Sequence, residues 1–173
     1  VYTGEYSPHR KKYFGVEPKG NPYGQFVVFS QNHDQVGNRL LGDRRTTSLH
    51  PEALKLAAAT LLLSPHVPFL FMGEEYGEKN PFLFFTDYSD KPLIEALVEG
   101  RRKEFSYFNW QGEVPNPQDE KVFMQSKLGW EMETIPGLPE LYRHLIEFRT
   151  THPAMTNDER GTAVKNIQVR DNT

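Results

Sequence analysis

Two short apolar runs interrupt a mostly polar chain, and each ends abruptly in a cluster of hydrogen-bonding residues. The first is Phe26-Val27-Val28-Phe29, which stops at Ser30-Gln31-Asn32-His33-Asp34. The second covers residues 67–72 and stops at Gly73-Glu74-Glu75. Continuous β-branched and aromatic residues without alternation predict strands buried on both faces, as parallel strands are. Between them, residues 51–64 carry Ala53, Leu54, Ala57, Ala58, Leu61 and Leu62, a broad apolar helix face, with Pro51 in the first turn. Strand, polar loop, helix, strand is a βαβ unit, and its right-handed crossover implies a parallel sheet.

Elsewhere the patterning is weaker. Residues 1–25 scatter Gly4, Pro8, Gly15, Pro18, Gly20, Pro22 and Gly24 among mixed charges, which predicts an extended loop. The loop after the second strand is aromatic, with Tyr76, Phe82, Phe84, Phe85 and Tyr88. Asp90 is placed to cap a helix over residues 92–104, where Ile94, Leu97, Val98 and Phe105 share a face. A Pro-, Gly- and Asn-rich stretch over 109–119 interrupts it. A further helix is predicted over 138–151 from the spacing of Leu138, Leu141, Tyr142, Leu145 and Phe148. Beyond Met155 the chain turns polar, and Val164, Ile167 and Val169 predict the start of one more strand. There is no internal repeat.

The polar cluster after the first strand is the main candidate for chemistry. Strands of barrels and open α/β sheets deliver functional side chains from their carboxyl ends, where the loops converge on one pocket. A polar turn, with Asn and Asp bonding their own backbone and Gly37 left-handed, would account for a lone Asn-His-Asp. Gln35, Asn38 and Arg39 exceed what a turn uses, which favours a site. Glu74 and Glu75 are adjacent at a strand end and so point to opposite faces. They read as partners of Arg39 or Arg44, or as loop caps, ahead of an acid/base couple. Arg39, Asp43 and Arg44 fit substrate contact and a loop-fixing salt-bridge network about equally. His50 reads as a helix-start residue, and His144 and His152 as surface residues. Trp110 and Trp130 suit core or inter-domain packing better than a sugar platform. Six histidines without ligand spacing predict no metal site.

Composition narrows the function classes. With 173 residues and a net charge of -3, the chain lacks the basic excess of a nucleic-acid footprint. The basic clusters at 9–12 and 101–103 are short and read as solvated surface. No apolar run approaches the ~20 residues of a membrane span, and Val1 begins no secretory pattern. The absence of cysteine excludes disulfides and thiolate metal sites and fits a reducing cytoplasm, the expected location.

The string Ser30-Gln31-Asn32-His33-Asp34-Gln35-Val36-Gly37-Asn38-Arg39 resembles the last motif of the α-amylase superfamily of glycoside hydrolases, in which a strand ends in His-Asp. Together with Gly42-Asp43-Arg44 and the segments 68–78 and 81–87, it is similar to one branch, the malto-oligosyltrehalose trehalohydrolases. The likeness runs from about Gly4 to about Met155. It implies an α/β fold, a partial (β/α)8 barrel comprising the last two βα units, with the start of a C-terminal β-domain. Residues 1–25 would be a loop entering the barrel, 26–155 its C-terminal part, and 156–173 the truncated β-domain. A whole barrel takes ~250 residues, so two strands are a piece of one.

The resemblance further implies a retaining glycoside hydrolase that cuts the α-1,4 glucosidic bond next to the trehalose end of malto-oligosyltrehalose, releasing trehalose. A branching enzyme or an amylase is the alternative within the superfamily. A non-catalytic carbohydrate-binding or self-associating remnant is the alternative outside it. Asp34 would be the transition-state stabiliser, holding positive charge on the flattening ring. His33, Asp34, Gln35, Val36, Gly37 and Asn38 would line the cleavage site. The nucleophile and general acid, ~5 Å apart in retaining enzymes, come from earlier strands of such barrels, and nothing here matches them. The isolated chain is therefore expected to be inactive. No cofactor is implied. The expected partner is an α-glucan, and not nucleic acid or a membrane. Open strand edges predict self-association.

Overall fold

The computed structural model describes residues 3–107, 113–130 and 134–156. It opens on an antiparallel hairpin of β1 (Thr3–Ser7) and β2 (Lys12–Gly15), where the sequence predicted a loop. Tyr6 faces Tyr13 across the pair, their rings edge-on with centroids 5.6 Å apart. Such a cross-strand aromatic pair stabilises a hairpin without a buried face. Lys11, at φ 51°, closes the turn. Nearly every side chain of this hairpin is exposed, so no alternation of polar and apolar residues marked it in the sequence.

The predicted βαβ unit follows. β3 (Val27–Val28) leads into a one-turn helix, α1 (His33–Gly37), then α2 (Pro51–Leu62) and β4 (Val67–Pro68). β3 and β4 pair in parallel, Val27 with Val67 and Val28 with Pro68. The ladder runs through the amides of Val67 and Phe69, which donate to the carbonyls of Phe26 and Val28 at 2.9 and 2.8 Å. Pro68 falls between the two donors, so its missing N–H leaves no gap on this side. The regular strands are shorter than the apolar runs that predicted them. Their expected burial on both faces is also not met. Val27 (59% exposed), Phe29, Val67 and Phe69 share an exposed face, whereas Phe26, Val28, Pro68 and Leu70 are half-buried, Leu70 against the helical core.

α2 starts as its sequence predicts: Nδ1 of His50 accepts from the Glu52 amide at 3.3 Å, and Pro51 occupies the first turn. After β4 a turn and an aromatic loop lead to α3 (Lys91–Tyr107), whose start is capped by Asp90 Oδ1 accepting from the Leu93 amide at 3.0 Å. α4 (Glu120–Gln125), capped by Asp119, was not foreseen; its one turn buries only Val122 and carries no readable period. α5 (Leu138–Thr151) matches its predicted bounds, and α6 (Pro153–Thr156) ends the described chain. The predicted strand around Val164, Ile167 and Val169, and Trp110, lie outside the described residues.

The core sits where α2 meets α5. Leu54, Ala58 and Leu62 pack with Ile135, Leu138 and Tyr142, flanked by Leu70 and Leu145. Arg149 of α5 donates to the carbonyls of Leu62 and Ser64 at 2.7 and 2.6 Å, and also to that of His66. It thereby satisfies carbonyls left free where α2 ends.

Candidate functional site

Parallel pairing puts the polar ends of both strands on the same side of the sheet. After β3, Asn32 turns the chain into α1, its Oδ1 accepting from the Gln35 amide at 3.0 Å. Gly37 is the last residue of this helix; the left-handed glycine of the segment is Gly42, at φ 57°. Val36, 3% exposed, anchors α1 in the interior, and Asp34 and His33 stand on its outer side. The His33 Nε2 and Asp34 Oδ1 atoms are 3.3 Å apart, with side chains 65% and 74% exposed.

Across from α1 runs the aromatic loop. His33, Asp34, Gly37 and Asn38 form one side of a cleft of about 330 Å³, and Phe82, Leu83, Phe84 and Phe85 the other. Phe85 also borders a groove of about 600 Å³ with Asp87, Gln118 and Glu120. Gln35 and Val36 border a different recess of about 210 Å³, shared with Gln31, Arg39 and Arg45. Four of the six residues expected at the site therefore converge on one cleft, and two face away from it.

The loops that carry the cleft are held by buried polar contacts. Arg44, 1% exposed, donates to the carbonyls of Met72 and Asn80, both at 2.7 Å, with its guanidinium 4.8 Å from the Phe71 ring centroid. Burial lowers the Arg44 pKa, opposed by the carboxylates of Glu78, Glu74 and Glu75 and by Tyr76. The carbonyl of Gly42 accepts from the Phe82 amide at 2.8 Å. Arg39 pairs with Asp43, its Nε and Nη2 lying 2.7 and 2.6 Å from Oδ2; this hydrogen bond lowers the Asp43 pKa. The loop-fixing reading of these residues is the one the contacts support.

The two glutamates after β4 do part company. Glu74, 5% exposed, accepts from Gln31 Nε2 at 3.1 Å and from the Tyr142 hydroxyl at 3.4 Å. Its ion-pair partner is Arg45, at 3.7 Å, in place of the expected Arg39 or Arg44. Burial raises the Glu74 pKa, against the opposing pull of Gln31 and Arg45. Glu75 borders a groove along α5 with Tyr142 and Ile146.

Loop capping falls to Glu78, which the sequence reading did not single out. Fully buried, it accepts from the amides of Lys79, Asn80 and Gly129 at 2.8, 2.7 and 2.6 Å and from the Tyr76 hydroxyl at 3.0 Å. Burial alone would raise its pKa; the four donors more than offset this and the net shift is downward. Tyr76, by burial and by its bond to Glu78, is pushed up to about 12. Trp130 is 78% exposed, its ring centroid 6.1 Å from that of Tyr76, so it is not a core residue. The sequence places Arg101 on solvated surface, yet its side chain is only 12% exposed. It donates to Asn38 Oδ1 and the Gly37 carbonyl at 2.9 and 3.1 Å. A short basic cluster gives no sign of which member a distant aromatic loop will cover. Among the described residues no group of three or more His, Asp or Glu could hold a metal.

No family model matches the chain. Curated relatives do. It is 41% identical over 157 residues to the malto-oligosyltrehalose trehalohydrolase of Saccharolobus solfataricus, covering 91% of this chain and 27% of that protein. It is 43% identical over 165 residues to the enzyme of the same name from Brevibacterium helvolum, covering 91% and 28%. Over about nine-tenths of its own length the chain is similar to malto-oligosyltrehalose trehalohydrolases. It spans about a quarter of the length of these trehalohydrolases. A crystal structure of a putative alpha amylase from Salmonella typhimurium superimposes with a TM-score of 0.79 at 47% identity, over 87% of this chain and 26% of that one. The His33-Asp34 cleft thus lies in a fold shared with an α-amylase-type protein.

Proposed function

We propose that this chain is the C-terminal part of the catalytic barrel of a cytoplasmic retaining glycoside hydrolase. The complete enzyme would cut the α-1,4 bond next to the trehalose end of malto-oligosyltrehalose and release trehalose. The observation that carries the proposal is the convergence of His33 and Asp34 with the wall at 82–85 in one cleft, at the carboxyl ends of two parallel strands. The exposed strand face of Val27, Phe29, Val67 and Phe69 supports the barrel reading, because in a closed barrel that face is the filled interior. Residues 1–25 then precede the barrel segment, 26–155 belong to it, and 156–173 begin a further domain.

In this reading the Asp34 carboxylate accepts hydrogen bonds from sugar hydroxyls and stabilises positive charge as the ring flattens toward an oxocarbenium ion. His33 donates to the same ring. Asn38 and the backbone at Gly37 border the sugar, and the phenyl faces at 82–85 offer apolar surface to its C–H groups. Gln35 and Val36 support the cleft from behind. The nucleophile and general acid belong to segments beyond this chain. An α-amylase activity is the second reading, favoured by the name of the Salmonella typhimurium protein. Incubation with malto-oligosyltrehalose and with plain malto-oligosaccharides separates the two. Trehalose release by the complete enzyme, with none from the isolated chain, is the expected result. Shortening of plain malto-oligosaccharides without trehalose release would favour the amylase.

A further inference from the structure

We infer that Arg101 is a positioning residue that sets the cleft geometry by gripping both of its sides; this rests on the Asp34 assignment proposed above. The guanidinium on α3 lies 4.6 Å from the ring centroid of Phe84 and 4.8 Å from that of Phe105. From this slot Nη2 donates to the Gly37 carbonyl at 3.1 Å and Nη1 to Asn38 Oδ1 at 2.9 Å. Glu104, one turn along α3, is 3.3 Å from Nη1. One buried side chain therefore touches the helix that carries His33 and Asp34 and the aromatic wall that faces them.

α1 needs such a grip. It has five residues, too few for a helix to hold itself in water. Its start is tied by Asn32 and its inner side by Val36; at its end the Val36 carbonyl accepts from the Asn38 and Arg39 amides, and the Gly37 carbonyl is the next to need a donor. Arg101 supplies the donor there and places positive charge at the negative end of the helix. Asp34 is one turn back from Gly37 and Asn38, so a shift of the C-terminal end turns its carboxylate. A lysine cannot replace this contact, because only the planar fork can stack between rings while donating twice.

The test uses Arg101→Met and Arg101→Lys in the complete enzyme, alone and with Asp34→Asn. Misplacement of a positioned group by about 1 Å costs up to ~100-fold, so Arg101→Met is expected to lower kcat by roughly 10- to 100-fold with KM nearly unchanged. Arg101→Lys should recover only part of this. In the Asp34→Asn background, Arg101→Met should cost less than about 2-fold more, because its effect passes through Asp34. Hydrogen exchange on the chain itself reads the grip directly. In both variants the amides at 36–39 should exchange faster while those at 54–62 keep their protection, and the lysine variant decides if the methionine variant does not fold. Full additivity with Asp34→Asn, full activity in Arg101→Lys, or unchanged exchange at 36–39 would each overturn the inference and leave the Asp34 assignment standing. Normal turnover in Asp34→Asn would overturn both.

Discussion

The Tyr142 hydroxyl donates to Glu74 Oε1 across 3.4 Å, linking the α2–α5 core to the carboxyl end of β4. The same carboxylate takes Gln31 from the end of β3, so one buried group joins both strand ends to the helical layer.

This arrangement has a pH signature. Burial raises the folded-state pKa of Glu74, so between its ordinary value and the raised one the folded protein binds more protons than the unfolded chain. Its contribution is full below the ordinary carboxylate range and is lost as pH rises through the raised value. Glu74→Gln removes that dependence, and its melting temperature relative to wild type should climb as pH rises through that window. Glu78 behaves oppositely. Although burial opposes it, its four donors lower its pKa, so its contribution is present at neutral pH and lost as pH falls through the folded value. Glu78→Gln leaves donors facing an amide N–H and should cost about 2–3 kcal/mol at pH 7, less in acid. Thermal melts from pH 3 to 8 check both slopes.

Asp34→Asn in the complete enzyme keeps the shape of the side chain and removes its charge. kcat should fall by about 100-fold or more, the loss of one preorganised electrostatic partner, with KM changing less. Steady-state kinetics on malto-oligosyltrehalose decide it, and near-normal kcat would remove Asp34 from the mechanism.

Gly42 is where α1's loop meets the aromatic wall. At φ 57° a Cβ there would lie 2.6 Å from the Phe82 carbonyl carbon and oxygen and 2.8 Å from the Leu83 nitrogen, all backbone atoms. Gly42→Ala should therefore destabilise by about 2 kcal/mol or more. Gly100, within α3, meets nothing within 4 Å, and Gly100→Ala should stabilise by about 0.5–1 kcal/mol. Urea denaturation midpoints of the two variants should move in opposite directions.

The isolated chain should self-associate. Val27, Phe29, Val67 and Phe69 are each at least 40% exposed, and the Phe29 and Phe69 rings meet edge-on at 6.3 Å on that face. Exposed apolar patches beside unpaired strand edges recruit partners. Light scattering should find dimers or larger species, and Phe29→Lys with Phe69→Glu should shift them toward monomer. A wild-type chain that stays monomeric at high concentration would mean that another part of the chain covers the patch.

What the sequence determined by itself was local. The apolar spacing of 51–64 and 138–151 marked α2 and α5, Pro51, His50 and Asp90 marked helix starts, and Phe26-Val27-Val28-Phe29 followed by Asn32-His33-Asp34 marked a strand ending in a polar mouth. Each of these signals depends on neighbours within about two turns or one strand, so a hydrophobic period or a cap residue carries it. The tertiary structure alone decided which charges were buried and with whom. Arg45, not Arg39 or Arg44, reaches Glu74; Glu78 gathers donors up to 51 positions away; Arg101 meets Asn38 across 63. A charged residue looks the same in sequence whether water or a carbonyl will satisfy it. Desolvation makes the difference, and desolvation depends on which distant aromatic loop closes over the side chain. The hairpin at Thr3–Ser7 and Lys12–Gly15 escaped for the converse reason: its strands bury too little to leave a pattern, and pairing across the turn is what defines them.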